Sequence, residues 1–516
     1  MLLIGTNKYH CKPQPIAKNE IFRGSCTCNT PTESGYNAAK KLYREKLASK
    51  NTPEELEEAL REIFENQRQR IATALELPEG VEVALCPSGL SRSLGAEMCS
   101  CLISGELIFY GLYLPLVSLG SDAEYLPIAI ARALQPATQK GKKIVNICTQ
   151  LKEVGAGTNV AAGGTYFSTH APLYGKVPDG VTRLEGFGED GLTEVSIPAR
   201  ERDGTVLDAS AMAAEIAKKE SDAYPILHGV FGGKTGLRDG VMPPSEDGGE
   251  TSLGVIDACQ GRFSLDELHA WLEQDSIVLF TGSKFYQAPP FCGAIFIPKR
   301  IAEKLRETAP PGPMEMYAKE GMGGFLSDKE LPSCLDSWKP LLRRADREAN
   351  NVGLALRWEA GLVGMETLSK TPDAERIKAV DEWAASVTAM VQANADQLDA
   401  WCVERSIISV RLKREDGSGW LSMSELRDVY RYMSKDVSSA VSSASPEEKE
   451  ALATCAFIGQ PVDVAESHAI LRIALGSESL ANYLNDATTT LHEDEMAVRK
   501  LTAIAKNFSA LKQSSF

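Results

Sequence analysis

The sequence has no excess of basic residues. Its 516 residues include 55 Lys and Arg against 70 Asp and Glu, which gives a formal net charge of -15 at pH 7. A nucleic-acid-binding surface needs clustered cations that displace counterions from phosphates, so this balance argues against DNA or RNA as a partner. The hydrophobic share of 43% and the charged share of 24% are typical of a globular enzyme.

The sequence also lacks a long uncharged apolar run. The longest, Leu107 to Ser121, contains Gly111, Pro115 and Ser118 and is too short to span a bilayer. The segment Met1 to Gly5 does not begin a basic stretch followed by an apolar stretch of signal-peptide length. We therefore expect no membrane partner and a cytoplasmic location.

Cysteine spacing supports neither a disulfide framework nor a zinc site. Twelve cysteines in a chain of this length, several of them in apolar stretches, suit a reducing compartment. Two C-x-C pairs, Cys26/Cys28 and Cys99/Cys101, have neither the C-x-x-C loop spacing nor a second pair close by that zinc requires. We therefore expect no metal.

What the sequence does contain is a lysine and an aspartate, each placed just after a buried strand. Asp257 ends the apolar run Leu253 to Ile256, and Lys284 follows the run Ile277 to Phe280. Either residue alone is ordinary, because most lysines are solvated and most strand-end aspartates cap turns. Together they match the chemistry of pyridoxal phosphate, which needs an amine for its aldehyde and an anion for its ring nitrogen.

A turn upstream predicts a phosphate site. Val81 to Leu85 has the pattern of a strand, and the following turn contains Ser88, Gly89 and Leu90 before a helical pattern begins. Free backbone N–H groups and the helix dipole favour an anion at such a helix N-terminus. We expect this turn to hold the cofactor phosphate. The hydroxyl of Ser283 is expected to reach the phosphate from the segment after Phe280 that contains Lys284, which we call the lysine loop.

Three motifs carry a family resemblance. Val255 to Gln260 (VIDACQ), Thr281 to Lys284 (TGSK) and Pro87 to Gly89 (PSG) resemble the fold type I pyridoxal 5'-phosphate enzymes of the aspartate aminotransferase superfamily. The chain is most similar to the class V aminotransferase and cysteine desulfurase branch. In that branch a histidine precedes the lysine, whereas this chain has Ser283.

The resemblance implies a cofactor, a substrate class and residue roles. Pyridoxal 5'-phosphate would form a Schiff base with Lys284, Asp257 would bind its pyridinium, and Gln260 would hydrogen-bond its ring hydroxyl. Arg472, in the apolar strand Ile470 to Leu475, would grip the α-carboxylate of an amino acid substrate. The resemblance also implies a homodimer.

The reaction itself is left open by these motifs. Transamination is the leading expectation. Carbon–sulfur (β/γ) lyase or desulfurase chemistry and amino-acid decarboxylation are enzymatic alternatives, because the orientation of the substrate decides which bond breaks. A scaffold that keeps the fold without catalysis is the non-enzymatic alternative.

A second glycine-rich stretch, His228 to Thr235, follows the apolar run Tyr224 to Leu227. It is similar to a phosphate-binding P-loop, but His228 occupies the first glycine position, so nucleotide hydrolysis is a poor interpretation. We expect this stretch to line a substrate pocket, where His228 or Lys234 contacts substrate, together with Asn159 from the loop after Ile144 to Cys148.

The pattern along the chain predicts an α/β fold. Strands and helices alternate from Val81 to Pro298, which favours a mostly parallel sheet flanked by helices. We expect an N-terminal arm and helix over residues 1–80, a cofactor-binding large domain over 81–330 and a smaller α+β domain over 331–516. Further expectations are a helix over Ala374 to Trp401 and a mobile Ser-rich loop over Val437 to Ser445.

Overall fold

A computed structural model describes most of the chain. The described residues are 11–12, 14–27, 29–86, 121–135, 143–168, 170–173, 175–176, 182–188, 191–239, 249, 251–343, 350–466 and 468–514. Among them are fourteen strands. In chain order these are β1 (Glu20–Arg23), β2 (Glu82–Cys86), β3 (Ile144–Leu151), β4 (His170–Ala171), β5 (Gly175–Lys176), β6 (Thr193–Pro198), β7 (Tyr224–Val230), β8 (Leu253–Asp257), β9 (Ile277–Thr281), β10 (Gly293–Ile297), β11 (Leu398–Glu404), β12 (Ile407–Leu412), β13 (Cys455–Ala465) and β14 (His468–Ala474).

The described residues also form fifteen α-helices. In chain order these are α1 (Glu33–Leu42), α2 (Pro53–Ala74), α3 (Tyr125–Leu134), α4 (Thr158–Ala162), α5 (Ala209–Lys219), α6 (Leu265–Glu273), α7 (Lys299–Glu307), α8 (Lys339–Leu342), α9 (Val352–Leu368), α10 (Asp373–Gln392), α11 (Met423–Met433), α12 (Pro446–Ala453), α13 (Ser477–Asn485), α14 (Ala487–Lys506) and α15 (Phe508–Gln513). None of them combines the length and the apolar character that a bilayer crossing requires.

A seven-stranded sheet is formed by strands between residues 82 and 297. Its order is β2-β10-β9-β8-β7-β3-β6. Only β10 runs against its neighbours, whereas β9, β8, β7, β3 and β6 are parallel to one another. Because β9 and β10 are buried along their whole length, their apolar runs have no polar alternation. The expected mostly parallel sheet is confirmed.

Both faces of this sheet are covered. Alternate residues of β9 contribute to two separate apolar cores, with Val278 and Phe280 in one and Ile277 and Leu279 in the other. This period of two places successive side chains on opposite faces. The first core includes α2, α6 and α9, and the second includes α3 and α7. The expectation that helices flank both faces of the sheet is therefore confirmed.

A second sheet of five strands joins β1 to strands from the C-terminal part of the described chain. Its order is β1-β13-β14-β12-β11, antiparallel except for the parallel pair β1 and β13. Glu20 lies opposite Cys455 and Arg23 opposite Ile458. The first strand of the expected N-terminal arm is therefore an edge strand of this second sheet.

Two expectations for the small domain are corrected. The helix expected over Ala374 to Trp401 ends at Gln392, and Trp401 lies in β11. Turns after Asn394 reverse the chain, with N–H groups bonding to carbonyls three or four residues earlier. Val437 and Val441 of the Ser-rich stretch are buried. The stretch therefore packs against the rest of the protein and is not the mobile loop that was expected.

Candidate active site

Asp257 and Lys284 lie at the same edge of the large sheet. Asp257 is the last residue of β8, and Lys284 follows the end of β9 by three residues. The two strands are adjacent and parallel, with Asp257 opposite Leu279, so both residues project from carboxyl ends. Both groups affect the pKa of the buried Cys259 thiol. Burial and the charge of Asp257 raise this pKa, whereas the charge of Lys284 lowers it. The two residues on which the sequence argument depended are brought together.

A buried pair of side chains lies beside Asp257. His228 Nε2 is 3.3 Å from Glu124 Oε2, and these side chains are 3% and 1% exposed. Burial lowers the pKa of His228 to about 4, against an opposing effect of Asp257. Burial, with a further contribution from Asp257, raises the pKa of Glu124 well above its usual range. Both shifts favour the uncharged form of the side chain.

The position of His228 differs from the expected one. Strand β7 continues to Val230, so His228 lies inside the strand and not in the loop after it. Its side chain contacts Glu124, and the substrate contact expected of it stays a prediction. Glu124 was not among the predicted site residues, because no local pattern links it to a strand 100 residues further along the chain.

The lysine loop is fixed by hydrogen bonds. Asn29 Nδ2 donates to the carbonyls of Ser283 at 2.5 Å and Lys284 at 2.9 Å. The Thr281 hydroxyl donates to the Cys292 carbonyl at 2.6 Å and lies 2.7 Å from the Ser283 hydroxyl. Ser283 is wholly buried, and its hydroxyl is directed at Thr281. Its expected contact with the cofactor phosphate stays a prediction.

Arg472 is a buried cation in the centre of the small sheet. It is 0% exposed on β14, between β13 and β12. Its guanidinium donates to the carbonyl of Lys234 at 2.9 Å, the carbonyl of Gln460 at 3.0 Å and the hydroxyl of Thr27 at 2.9 Å. Among the described residues no carboxylate forms an ion pair with it. A buried cation without a counter-charge is a candidate binding group for an anion.

The segment after β1 reaches the same place. Besides the bonds of Thr27 and Asn29, the Cys26 carbonyl accepts from Gln260 Nε2 at 3.2 Å, and Ser25 Oγ accepts from Arg262 Nη2 at 2.8 Å. Residues 25–27 and Asn29 therefore contact the lysine loop, Arg472 and the stretch after Asp257. The sequence argument missed these residues, since nothing in the local pattern indicates a contact more than 200 residues away.

The remaining predicted residues have varied positions. Gln260 is buried and directed at Cys26. Asn159 is half-buried on α4, past the carboxyl end of β3. Ser88, Gly89 and Leu90, the predicted phosphate turn, lie outside the described residues. Within the described part of the chain there is no group of three or more His, Cys, Asp or Glu that would hold a metal ion.

Lys234 lies in the loop that follows β7. Its ammonium donates to the Lys152 carbonyl at 2.6 Å. Burial lowers the pKa of Lys234 to about 8, and the nearby cations Arg472 and Lys284 act in the same direction. The loop therefore borders the same region as Lys284 and Arg472.

Comparison with known proteins gives matches to solved structures alone. No family model and no curated protein matches the chain. The chain is similar to TDC from Oryza sativa with PLP and tryptamine, at 15% identity over 92% of this chain and 83% of that chain, with a TM-score of 0.48. It is similar to a phosphoserine aminotransferase from Cytophaga hutchinsonii, at 14% identity over 92% and 99%, with a TM-score of 0.47. It is also similar to SPT with a PLP internal aldimine, at 11% identity over 97% and 95%, with a TM-score of 0.46.

Proposed function

We propose that this chain is a pyridoxal 5'-phosphate enzyme of fold type I that transfers the amino group of an amino acid. The observation that carries the proposal is the position of Asp257 and Lys284 at the carboxyl ends of adjacent parallel strands. Ligand groups in open parallel sheets gather at that edge. The proposal includes a homodimer, following the family resemblance of the motifs.

The donor set fits the cofactor. Lys284 makes no ion pair with any described residue, so its amine is available to hold the aldehyde covalently. Asp257 is half-buried and accepts from the Cys259 N–H at 3.0 Å, and the Cys259 thiol also interacts with its side chain. A carboxylate in this position would pair with the ring nitrogen. When bound, the cofactor supplies an electron sink for the bond that breaks at the substrate α-carbon.

Side chains of the protein then bind and orient the substrate, and one of them moves a proton. Arg472 supplies the positive charge for the substrate α-carboxylate. Its N–H groups donate to the carbonyls of Gln460, Cys26 and Lys234 and to the Thr27 hydroxyl, so the two parallel hydrogen bonds of a guanidinium to a carboxylate would replace some of these bonds. Asn29 fixes the backbone of the lysine loop. The Lys284 amine takes a proton from the substrate α-carbon and returns it elsewhere, as a general base and then a general acid.

The cofactor is tested by its attachment. Purified protein given pyridoxal 5'-phosphate is expected to absorb at roughly 410–430 nm, and borohydride reduction followed by peptide mass spectrometry is expected to place the label on Lys284. Lys284→Ala should lose both signals. Lys299→Ala, which removes an exposed lysine at the start of α7, should keep them. A label on another lysine, or no band in the unaltered protein, contradicts the proposal and favours a scaffold without catalysis.

The reaction is tested by product analysis. A panel of amino acids is incubated with the loaded protein, with and without a keto-acid acceptor. Turnover that depends on the acceptor supports transamination. Release of sulfide, sulfite or carbon dioxide without an acceptor replaces it with lyase, desulfurase or decarboxylase chemistry.

A further inference from the structure

Lys234 lies in a loop that Arg472 contacts at this side of the sheet edge. Arg472 Nη1 donates to the backbone carbonyl of Lys234 at 2.9 Å. Burial lowers the pKa of Lys234, the charges of Arg472 and Lys284 add to that shift, and Glu153 opposes it. Because like charges repel one another, a ligand that brings negative charge would be favoured here.

The carboxylate of Glu153 acts on Lys234 electrostatically, but the two side chains form no ion pair. Glu153 is 4% exposed, and its two oxygens accept from the Thr235 N–H at 2.8 Å and the Thr235 hydroxyl at 2.9 Å. It also lies 3.5 Å from Arg200. Lys234 and Arg472 form no ion pair with any residue that the structure describes. The ammonium of Lys234 uses one of its three protons, on the Lys152 carbonyl.

The loop that holds Lys234 in place is unusually constrained. Gln150 and Lys152 have φ angles of 52° and 79°, a region that side-chain-bearing residues rarely adopt. Asp239 accepts from Gln150 Nε2 at 2.9 Å and from the Val230 N–H at 2.7 Å, which joins the loops after β3 and β7. Strained backbone of this kind persists where the surroundings fix it, and it gathers at functional sites.

We propose that Lys234 binds a second anionic group, on the side chain of the substrate, so that the enzyme prefers amino acids with an acidic side chain. This inference rests on the proposed function, in which Arg472 takes the α-carboxylate. A substrate with a single carboxylate would leave the Lys234 charge without a partner. Aspartate and glutamate carry a second carboxylate, and phosphoserine supplies the same negative charge on a phosphate.

The test compares matched substrate pairs on the loaded enzyme. The kcat/KM values for glutamate and glutamine, aspartate and asparagine, and phosphoserine and serine are measured for the unaltered protein and for K234M, K234R and K152M. Each pair differs mainly in charge. Lys152 has an exposed side chain in the facing loop, so K152M controls for the loss of one nearby positive charge.

The unaltered protein is expected to prefer the acidic member of at least one pair. K234M should lower kcat/KM for that acidic substrate about 10- to 100-fold, mainly through KM, because a charged hydrogen bond is lost. Its kcat/KM for the neutral partner should stay unchanged. K234R should retain part of the preference, and K152M all of it. The pair that responds most distinguishes a carboxylate from a phosphate.

Three outcomes overturn the inference. They are an unaltered protein that prefers the neutral partners, a K234M variant that slows both partners equally, and a K152M variant with the same loss as K234M. The absorbance band separates this failure from failure of the proposed function. A protein that forms the band and turns over neutral amino acids keeps the proposed function and loses this inference. A protein without the band loses both.

Discussion

At the scale of single residues, Asp257 lies beside a buried pair of titratable side chains. His228 and Glu124 are both buried, and their pKa values are shifted in opposite directions, toward the uncharged form of each side chain. Burial favours these forms because a buried ion costs more free energy than a neutral group. Asp257 itself stands at the end of β8, where the cofactor nitrogen is proposed to bind.

Replacing Asp257 with asparagine tests this charge. Asp257→Asn keeps an oxygen that accepts from the Cys259 N–H, so the local fold should persist. We expect the variant to bind the cofactor through Lys284 and to keep the absorbance band. Its kcat should fall about 10²- to 10³-fold, as when one preorganised electrostatic group is removed.

Asp266→Asn, an exposed aspartate on α6, is the matched control and should leave kcat unchanged. An Asp257→Asn variant with activity close to that of the unaltered protein would show that Asp257 does not support the reaction.

At the scale of elements, the lysine loop packs on helix α9 through small residues. A Cβ added at Gly361 would lie 2.9 Å from the Cβ of Ala288, and one added at Gly282 would lie 3.3 Å from Trp358. The Ala288 N–H bonds to the Gly282 carbonyl at 2.9 Å, which closes the loop. The absence of side chains at these glycines lets the helix approach the loop closely.

Gly361→Ala is expected to push α9 and the lysine loop apart. Overpacking of this kind lowers the free energy of unfolding by about 1–3 kcal/mol, measured by urea denaturation. Thr367→Ala on the exposed side of the same helix is the control, and it should change stability by less than about 0.5 kcal/mol. Equal stability of the two variants would mean that the helix moves without cost.

The sequence predicted the elements that have a local signal. The apolar runs that end at Asp257 and precede Lys284 are strands β8 and β9, and their order along the chain placed both residues at one edge. Contacts between distant segments were not predictable in this way. Asn29 and Glu124 reach the site across more than 100 residues, and their side chains are common in ordinary caps and turns.

At the scale of the whole molecule, Arg262 connects three parts of the chain. Its guanidinium donates to the Leu475 carbonyl at 2.6 Å, to Ser25 Oγ at 2.8 Å and to the Ser406 hydroxyl. Burial lowers the pKa of Arg262 to about 10. The large domain, the small domain and the N-terminal segment therefore share one buried cation beside the proposed site.

The stability of the whole molecule is expected to respond to the titration of His228. Its pKa in the folded protein is about 4 against an ordinary value of 6.5. The contribution of neutral His228 to the free energy of unfolding is complete above pH 6.5. It is lost as the pH falls toward 4, because the histidine of the unfolded chain takes up a proton at a higher pH than that of the folded protein. Glu124, with its raised pKa, acts in the opposite sense over this range.

Comparison with His228→Gln isolates the histidine. The difference in unfolding free energy between the unaltered protein and the variant should shrink by about 2 kcal/mol between about pH 6.5 and about pH 5. Urea denaturation at the two pH values measures it. A difference that stays constant would show that His228 titrates normally in the folded protein.

The parallel pairing of β1 with β13 has a consequence for synthesis on the ribosome. Residues 20–23 emerge early, but the strand they join is made only after residue 455. Native contacts this far apart in sequence form late and slowly. A nascent chain is thus able to complete the seven-stranded sheet before the pairing of β1 with β13 holds residues 25–27 and Asn29 in place. The proposed active site is therefore complete only after β1 has paired with β13.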